Sequence, residues 1–120
     1  MAVRALRAAI QIDADDRDEL LAATREMLEE LLRRNELTSA DLISLWFTAT
    51  PDLTSEFPAH AARDLGLVDV PLLCAVEIAV PGAMPRVIRV LAHLETDKPR
   101  AELKHVYLRG AVNLRRDLST

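Results

Sequence analysis

Two arginines stand where strand periodicity calls for aliphatic side chains. Arg7 interrupts the alternating set Val3, Ala5 and Ala9, and Arg89 falls between Val87 and Leu91. A guanidinium on an apolar strand face cannot leave water unpaired, because desolvating a lone charge costs several kcal/mol. It requires a carboxylate or another anion. Glu77, at the end of an apolar run, is the candidate internal partner. Two arrangements meet the requirement: a salt bridge at an interface between copies, or a site for an anionic ligand. Thirteen of the fifteen basic residues are Arg, whose planar fork matches carboxylate and phosphate bidentately.

Other chemistries lack their parts. There is no Gly-x-Ser-x-Gly elbow, Walker loop or dinucleotide turn, and three glycines are too few for a phosphate cradle. The single cysteine, Cys74, sits mid-strand among Leu and Ala, where a thiol serves as a small buried hydrophobe. One cysteine excludes an internal disulfide framework and fits a reducing cytoplasm. Three scattered histidines without metal-ligand spacing predict no metal site. A net charge of −4 and only four aromatic residues supply neither a basic footprint nor a stacking platform for nucleic acid. The longest uncharged stretch, residues 42–51, is ten residues, against about 20 for a membrane helix. No secretory signal is expected at Met1-Ala2-Val3-Arg4.

These residues must be positioned by a mixture of strands and helices in a single domain spanning 1–120. Residues 3–12 alternate, with Leu6, Ala8, Ile10 and Ile12 on one face and Val3, Ala5, Arg7 and Ala9 on the other. The acidic run 13–16 predicts a turn and an N-cap. Residues 16–35 predict a long helix whose core stripe is Leu20, Leu21, Thr24, Met27, Leu28, Leu31 and Leu32. Glu29–Arg33 and Glu30–Arg34 are expected i,i+4 pairs. Residues 42–50, 70–78 and 86–96 predict strands apolar on both faces. In the first of these, Ile43, Leu45 and Phe47 are expected to share a face opposite Leu42 and Trp46. A short helix is expected near 58–65, a turn at Pro81-Gly82 and Pro85, one helical turn within 98–104, and a short strand at 106–108. One long helix covers only one sheet face. Copies of the chain are therefore expected to pack their bare faces together in an oligomer, the alternative being that the remaining loops and short helices cover the second face.

Several segments resemble the monofunctional chorismate mutases of the AroH class. They are Val3-Arg4-Ala5-Leu6-Arg7-Ala8-Ala9, Thr48-Ala49-Thr50-Pro51-Asp52-Leu53, Phe57-Pro58-Ala59 with Ala62-Arg63, and Cys74-Ala75-Val76-Glu77. Ile88-Arg89-Val90, His105-Val106-Tyr107-Leu108, Ala111-Val112, Leu114-Arg115 and Asp117-Leu118 complete the set. The resemblance runs in order along essentially the whole chain. It implies an α+β fold with ferredoxin-like layering, a mixed β-sheet packed on one long helix, and a homotrimer whose sheets form the core. The active sites would lie in clefts between subunits. The implied reaction is the Claisen rearrangement of chorismate to prephenate, in aromatic amino acid biosynthesis, with no cofactor and no metal.

By the same resemblance, Arg89 would meet the ether oxygen as negative charge develops there, and Glu77 would accept a hydrogen bond from the ring hydroxyl. Arg7 and Tyr107 would grip a carboxylate, and Leu73 and Cys74 would lie near the hydroxyl. Phe57, Ala59 and Leu114 would form an apolar wall. Arg63 and Arg115 would attract the dianion and close over it with the tail 111–120. Arg4, Arg86, Arg109 and Arg116 read as ordinary surface or interface charges. The chain departs from the family pattern at His60, where Lys is expected, at Leu73, where Thr is expected, and at Arg116, where Pro is expected. Two rival functions remain: a non-catalytic trimeric module that binds a small anionic metabolite, and a trimeric hydrolase of imino or enamine acids. The joint presence of Arg7, Glu77, Arg89 and Tyr107 favours the mutase.

Overall fold

The structure is a computed structural model that describes residues 1–115. Its elements are β1 (Ala2–Gln11), α1 (Arg17–Arg34), β2 (Leu42–Ala49), α2 (Ala59–Asp64), β3 (Leu72–Val76), β4 (Val87–Thr96) and β5 (Val106–Leu108). Short 3-10 turns occur at Ser39–Asp41, Arg100–Glu102 and Arg109–Arg115. The five strands form one mixed sheet in the order β3-β2-β4-β1-β5. β4 runs antiparallel to both β1 and β2, whereas β1/β5 and β2/β3 are parallel pairs.

Strand alternation gives the sheet two unlike faces. Leu6, Ala8 and Ile10 of β1, Leu45 and Phe47 of β2, and Ile88, Val90, Ala92 and Leu94 of β4 are buried against Leu20, Ala23, Met27, Leu28 and Leu31 of α1. Each large aliphatic side chain taken from water there contributes about 1.5–3 kcal/mol. Asp16 caps α1 by accepting a 2.9 Å hydrogen bond from the Glu19 amide, satisfying an otherwise orphaned donor. Asn35 ends the helix: its buried side chain bonds Leu31 O, Lys104 O and Lys104 N, tying α1 to the segment before β5. α1 does not cover the sheet alone. Ala59 and Ala62 of α2, with Leu53, Leu67 and Val70 of the flanking loops, belong to the same core.

Several expectations need correction. A bulge between Leu42 and Ser44 leaves Ile43 unpaired. Leu42 therefore packs against the core beside Leu45 and Phe47, and Ile43 faces out. Glu29 pairs with Arg25 rather than Arg33, and Arg33 joins Arg34 on Glu30. β3 is shorter than the apolar run 70–78. The segment after β5, expected as plain tail, is a 3-10 run that buries Ala111 against Ala9 and Val87. It covers one end of the second sheet face. The rest stays open, with Trp46 52% and Leu73 52% exposed. Of the expected closing tail 111–120, residues 116–120 and the Arg115 side chain lie outside the described residues.

Candidate active site

The open face carries the charged residues, and the strand registers line them up. Thr48 lies opposite Arg89, Arg89 opposite Ala9, and Ala9 opposite Tyr107. One row thus crosses β2, β4, β1 and β5. Ala9 has only a methyl group, so a gap opens between the guanidinium and the phenol. The next row runs Leu73, Trp46, Leu91, Arg7. A cavity of about 310 Å³ lies over both rows, lined by Arg7, Trp46, Thr48, Glu77, Arg89 and Tyr107 among others.

Glu77 reaches this face because β3 runs beside β2 and its amide, one residue past the strand, donates to Ala49 O at 3.0 Å. Its Oε1 lies 2.7 Å from Arg89 Nε and accepts a hydrogen bond from Thr48 Oγ1 at 3.1 Å. The Nε–H is not aimed along that contact, so Coulomb attraction rather than a formed hydrogen bond holds the pair. The Glu77 side chain is 20% exposed and Arg89 42%. Among the described residues Glu77 is the one carboxylate that pairs with Arg89. Arg7 is exposed, and its backbone amide donates to His105 Nδ1 at 3.0 Å, which continues the β1/β5 pairing through a side chain. The cavity therefore offers two guanidiniums, one phenol and one carboxylate, a balance suited to a dianion that carries a hydroxyl.

The other expected site residues gather elsewhere. Phe57 and Cys74 line a second cavity of about 370 Å³ with Leu53 and Pro58. Cys74 lies on the helix side of the sheet, partly packed against the core. The two cavities share no lining residue. Ala59 is buried in the core, so its side chain lines neither cavity. Leu73 projects from the open face beside Trp46. Leu114, like Tyr107, packs against the cluster of Ala9, Val87 and Ala111. Arg63 is exposed in the last turn of α2.

His60 sits between two carboxylates, with Nδ1 3.4 Å from Glu56 and Nε2 3.7 Å from Asp64. The Phe57 amide and the Arg17 guanidinium hold the Glu56 carboxyl below its usual range against the opposing effect of burial. Trp46 and Thr48 also line the Arg89 cavity, and the sequence reading assigns neither a role in the site. The signal was present: period-two alternation puts both on the face opposite Leu45 and Phe47. Among the described residues no three His, Cys, Asp or Glu side chains gather as a metal site would require. No helix among them is long and apolar enough to cross a membrane.

Comparisons with known proteins converge. The model of the family described as chorismate mutase type I matches residues 3–118. The chorismate mutase AroH of Thermus thermophilus is 50% identical over 119 residues, spanning 98% of this chain and 98% of that protein. The chorismate mutase AroH of Bacillus subtilis (strain 168) is 38% identical over 120 residues, spanning 99% of this chain and 94% of its own. A solved chorismate mutase from Clostridium thermocellum superposes with a TM-score of 0.89 at 44% identity, over 90% of this chain and 96% of that one.

Proposed function

The chain belongs to the chorismate mutase type I family and has that activity, and we propose that it works through a cleft shared by two copies, with Arg89 as the principal catalytic group. The observation that carries this reading is the Glu77–Arg89 pair over Ala9, flanked by Arg7 and Tyr107 in one cavity.

Chorismate is a dianion with one ring hydroxyl. Its rearrangement breaks a C–O bond as a C–C bond forms, and negative charge builds on the ether oxygen while the ring gains positive character. Arg7 and Tyr107 bind a carboxylate and hold the enolpyruvyl arm over the ring, which is the orientational part of catalysis. With Glu77 Oε1 placed 2.7 Å from Nε, the terminal nitrogens of Arg89 serve the ether oxygen. Glu77, steadied by Thr48, accepts from the ring hydroxyl and faces the developing positive charge. A fixed cation aimed at charge that appears only in the transition state lowers the barrier without tightening substrate binding equally.

The division of the expected residues between two cavities supports an oligomer. So does the exposure of Trp46 and Leu73 on an otherwise uncovered sheet face. In a homotrimer packed through the sheets, the Phe57 cavity of one subunit meets the Arg89 cavity of the next, in a repeating contact that closes into a ring. Phe57, Cys74, His60 and Arg63 then complete the cleft, with Leu73 and the backbone around Ala59 beside them and Leu114 and Arg115 at its margin. The substrate is chorismate, the product prephenate, and the setting the cytoplasm.

The test is loss of chorismate's ultraviolet absorbance in buffer with a chelator present. Arg89→Ala should turn over at least about 100-fold more slowly while the oligomer persists. Equal turnover by that variant would overturn the mechanism.

A further inference from the structure

The loop that carries Phe57 hangs on a residue outside it. Thr54 N donates to both carboxylate oxygens of Asp15 at 3.1 Å, and Thr54 Oγ1 donates to Oδ2 at 3.0 Å. Ser55 N donates to Oδ1 at 3.1 Å. Two residues further along each segment, Arg17 Nε donates to Glu56 Oε2 at 3.0 Å, and Glu56 Oε1 accepts from the Phe57 amide at 2.8 Å. The segment 54–57 is thus clamped to the start of α1 through its backbone.

Phe57 itself is 70% exposed. A ring with so little packing of its own takes its position from the backbone beneath it. Asp15 and Thr54 are exposed too, so the clamp is not part of the core. Without the carboxylate, water can replace it as acceptor for the freed amides. Global stability would then change little while the loop loses its fixed pose.

We propose that Asp15 is a positioning residue for the reaction, holding Phe57 where it forms one wall of the cleft. This rests on the shared-cleft reading, in which Phe57 contacts substrate. The four hydrogen bonds act through geometry rather than net charge. An Asn at position 15 keeps an oxygen able to accept both backbone amides, and Ala keeps none.

The experiment measures kcat, KM and melting temperature for Asp15→Ala and Asp15→Asn, and for Phe57→Ala alone and combined with Asp15→Ala. Asp15→Ala should raise KM about tenfold with kcat within about twofold and the melting temperature nearly unchanged. Asp15→Asn should restore most of the wild-type KM. In the Phe57→Ala background, Asp15→Ala should change KM by less than about twofold, because the wall it positions is gone. An unchanged KM in Asp15→Ala, or an effect undiminished without Phe57, would overturn the proposal. If Phe57→Ala alone leaves KM unchanged, the shared-cleft reading of Phe57 fails with it. If only the Asp15 variants are silent, the cleft reading stands and the positioning role does not. Should Asp15→Ala fail to fold, Asp15→Ser, which cannot span both donors, takes its place with the same expected outcomes.

Discussion

Replacing Arg89 by Lys separates charge from shape. Lysine ends one atom beyond the position of Arg Nε, roughly where the guanidinium carbon lies. In the native chain Nε is 2.7 Å from Glu77 Oε1, and Glu77 is fixed by Thr48. A lysine ammonium therefore settles on Glu77 and has no second nitrogen to extend over Ala9. The ion pair survives. Both partners are partly open to solvent, so its worth to stability is about 1 kcal/mol or less, and the melting temperature should hold. What disappears is the donor proposed to meet the ether oxygen. Removing one such donor costs about 2.7–4 kcal/mol, or 100–1,000-fold in kcat. Arg89→Lys should then be nearly as slow as Arg89→Ala, with KM changed far less than kcat. Stopped chorismate absorbance traces give kcat, and sedimentation confirms the oligomer. A lysine variant within about threefold of wild type would show that positive charge alone suffices and that guanidinium geometry is not required.

Further expectations concern the cleft mouth, the open face and acid. Arg63→Ala should mainly raise KM, since an exposed cation attracts the dianion without touching the reacting bond; steady-state kinetics at low and high salt check this. Trp46→Glu places a charge at the centre of the row Leu73, Trp46, Leu91. It should yield folded monomers by sedimentation and abolish turnover. Glu30 is held down to about 2, chiefly by hydrogen bonds from Arg33 and then Arg34. Its folded value lies below the ordinary 4.5, so its contribution is complete above pH 4.5 and fades as pH falls toward about 2. Glu30→Gln should flatten the decline of melting temperature across that window, and an unaltered slope would contradict the assignment.

Much of this was legible in the chain. Alternation in residues 3–12 and 86–96 places Arg7 and Arg89 on one face, and the demand for a counter-charge singles out Glu77, which the structure sets 2.7 Å away. The helix boundaries follow from Asp16 and the apolar stripe. Pattern was less informative where one residue more or less changes the outcome. The bulge at Ile43 reverses a face without altering composition. Glu30 has arginines at both three and four residues' distance, and helical spacing does not choose between them. The role of α2 in the core depends on small Ala59 and Ala62, which carry weak periodic signal. The separation of Phe57 and Cys74 from Arg89, in two cavities with no lining residue in common, is a matter of tertiary placement, beyond what local spacing encodes. Asp15 read as part of an acidic turn, and its clamp on Thr54 spans 39 residues.

The shared cleft is tested most directly by mixing two inactive variants. Arg89→Ala removes the cation from one half-site, and Phe57→Asp sets an anion in the other, at an exposed position where folding is tolerant. In equimolar mixed oligomers assembled at random, about one site in four pairs an intact Arg89 half with an intact Phe57 half from its neighbour. Co-refolded chains should therefore regain about one quarter of wild-type turnover, although each variant alone is silent. Mixed oligomers no more active than the parents would mean that each site is built within a single chain, contrary to this account.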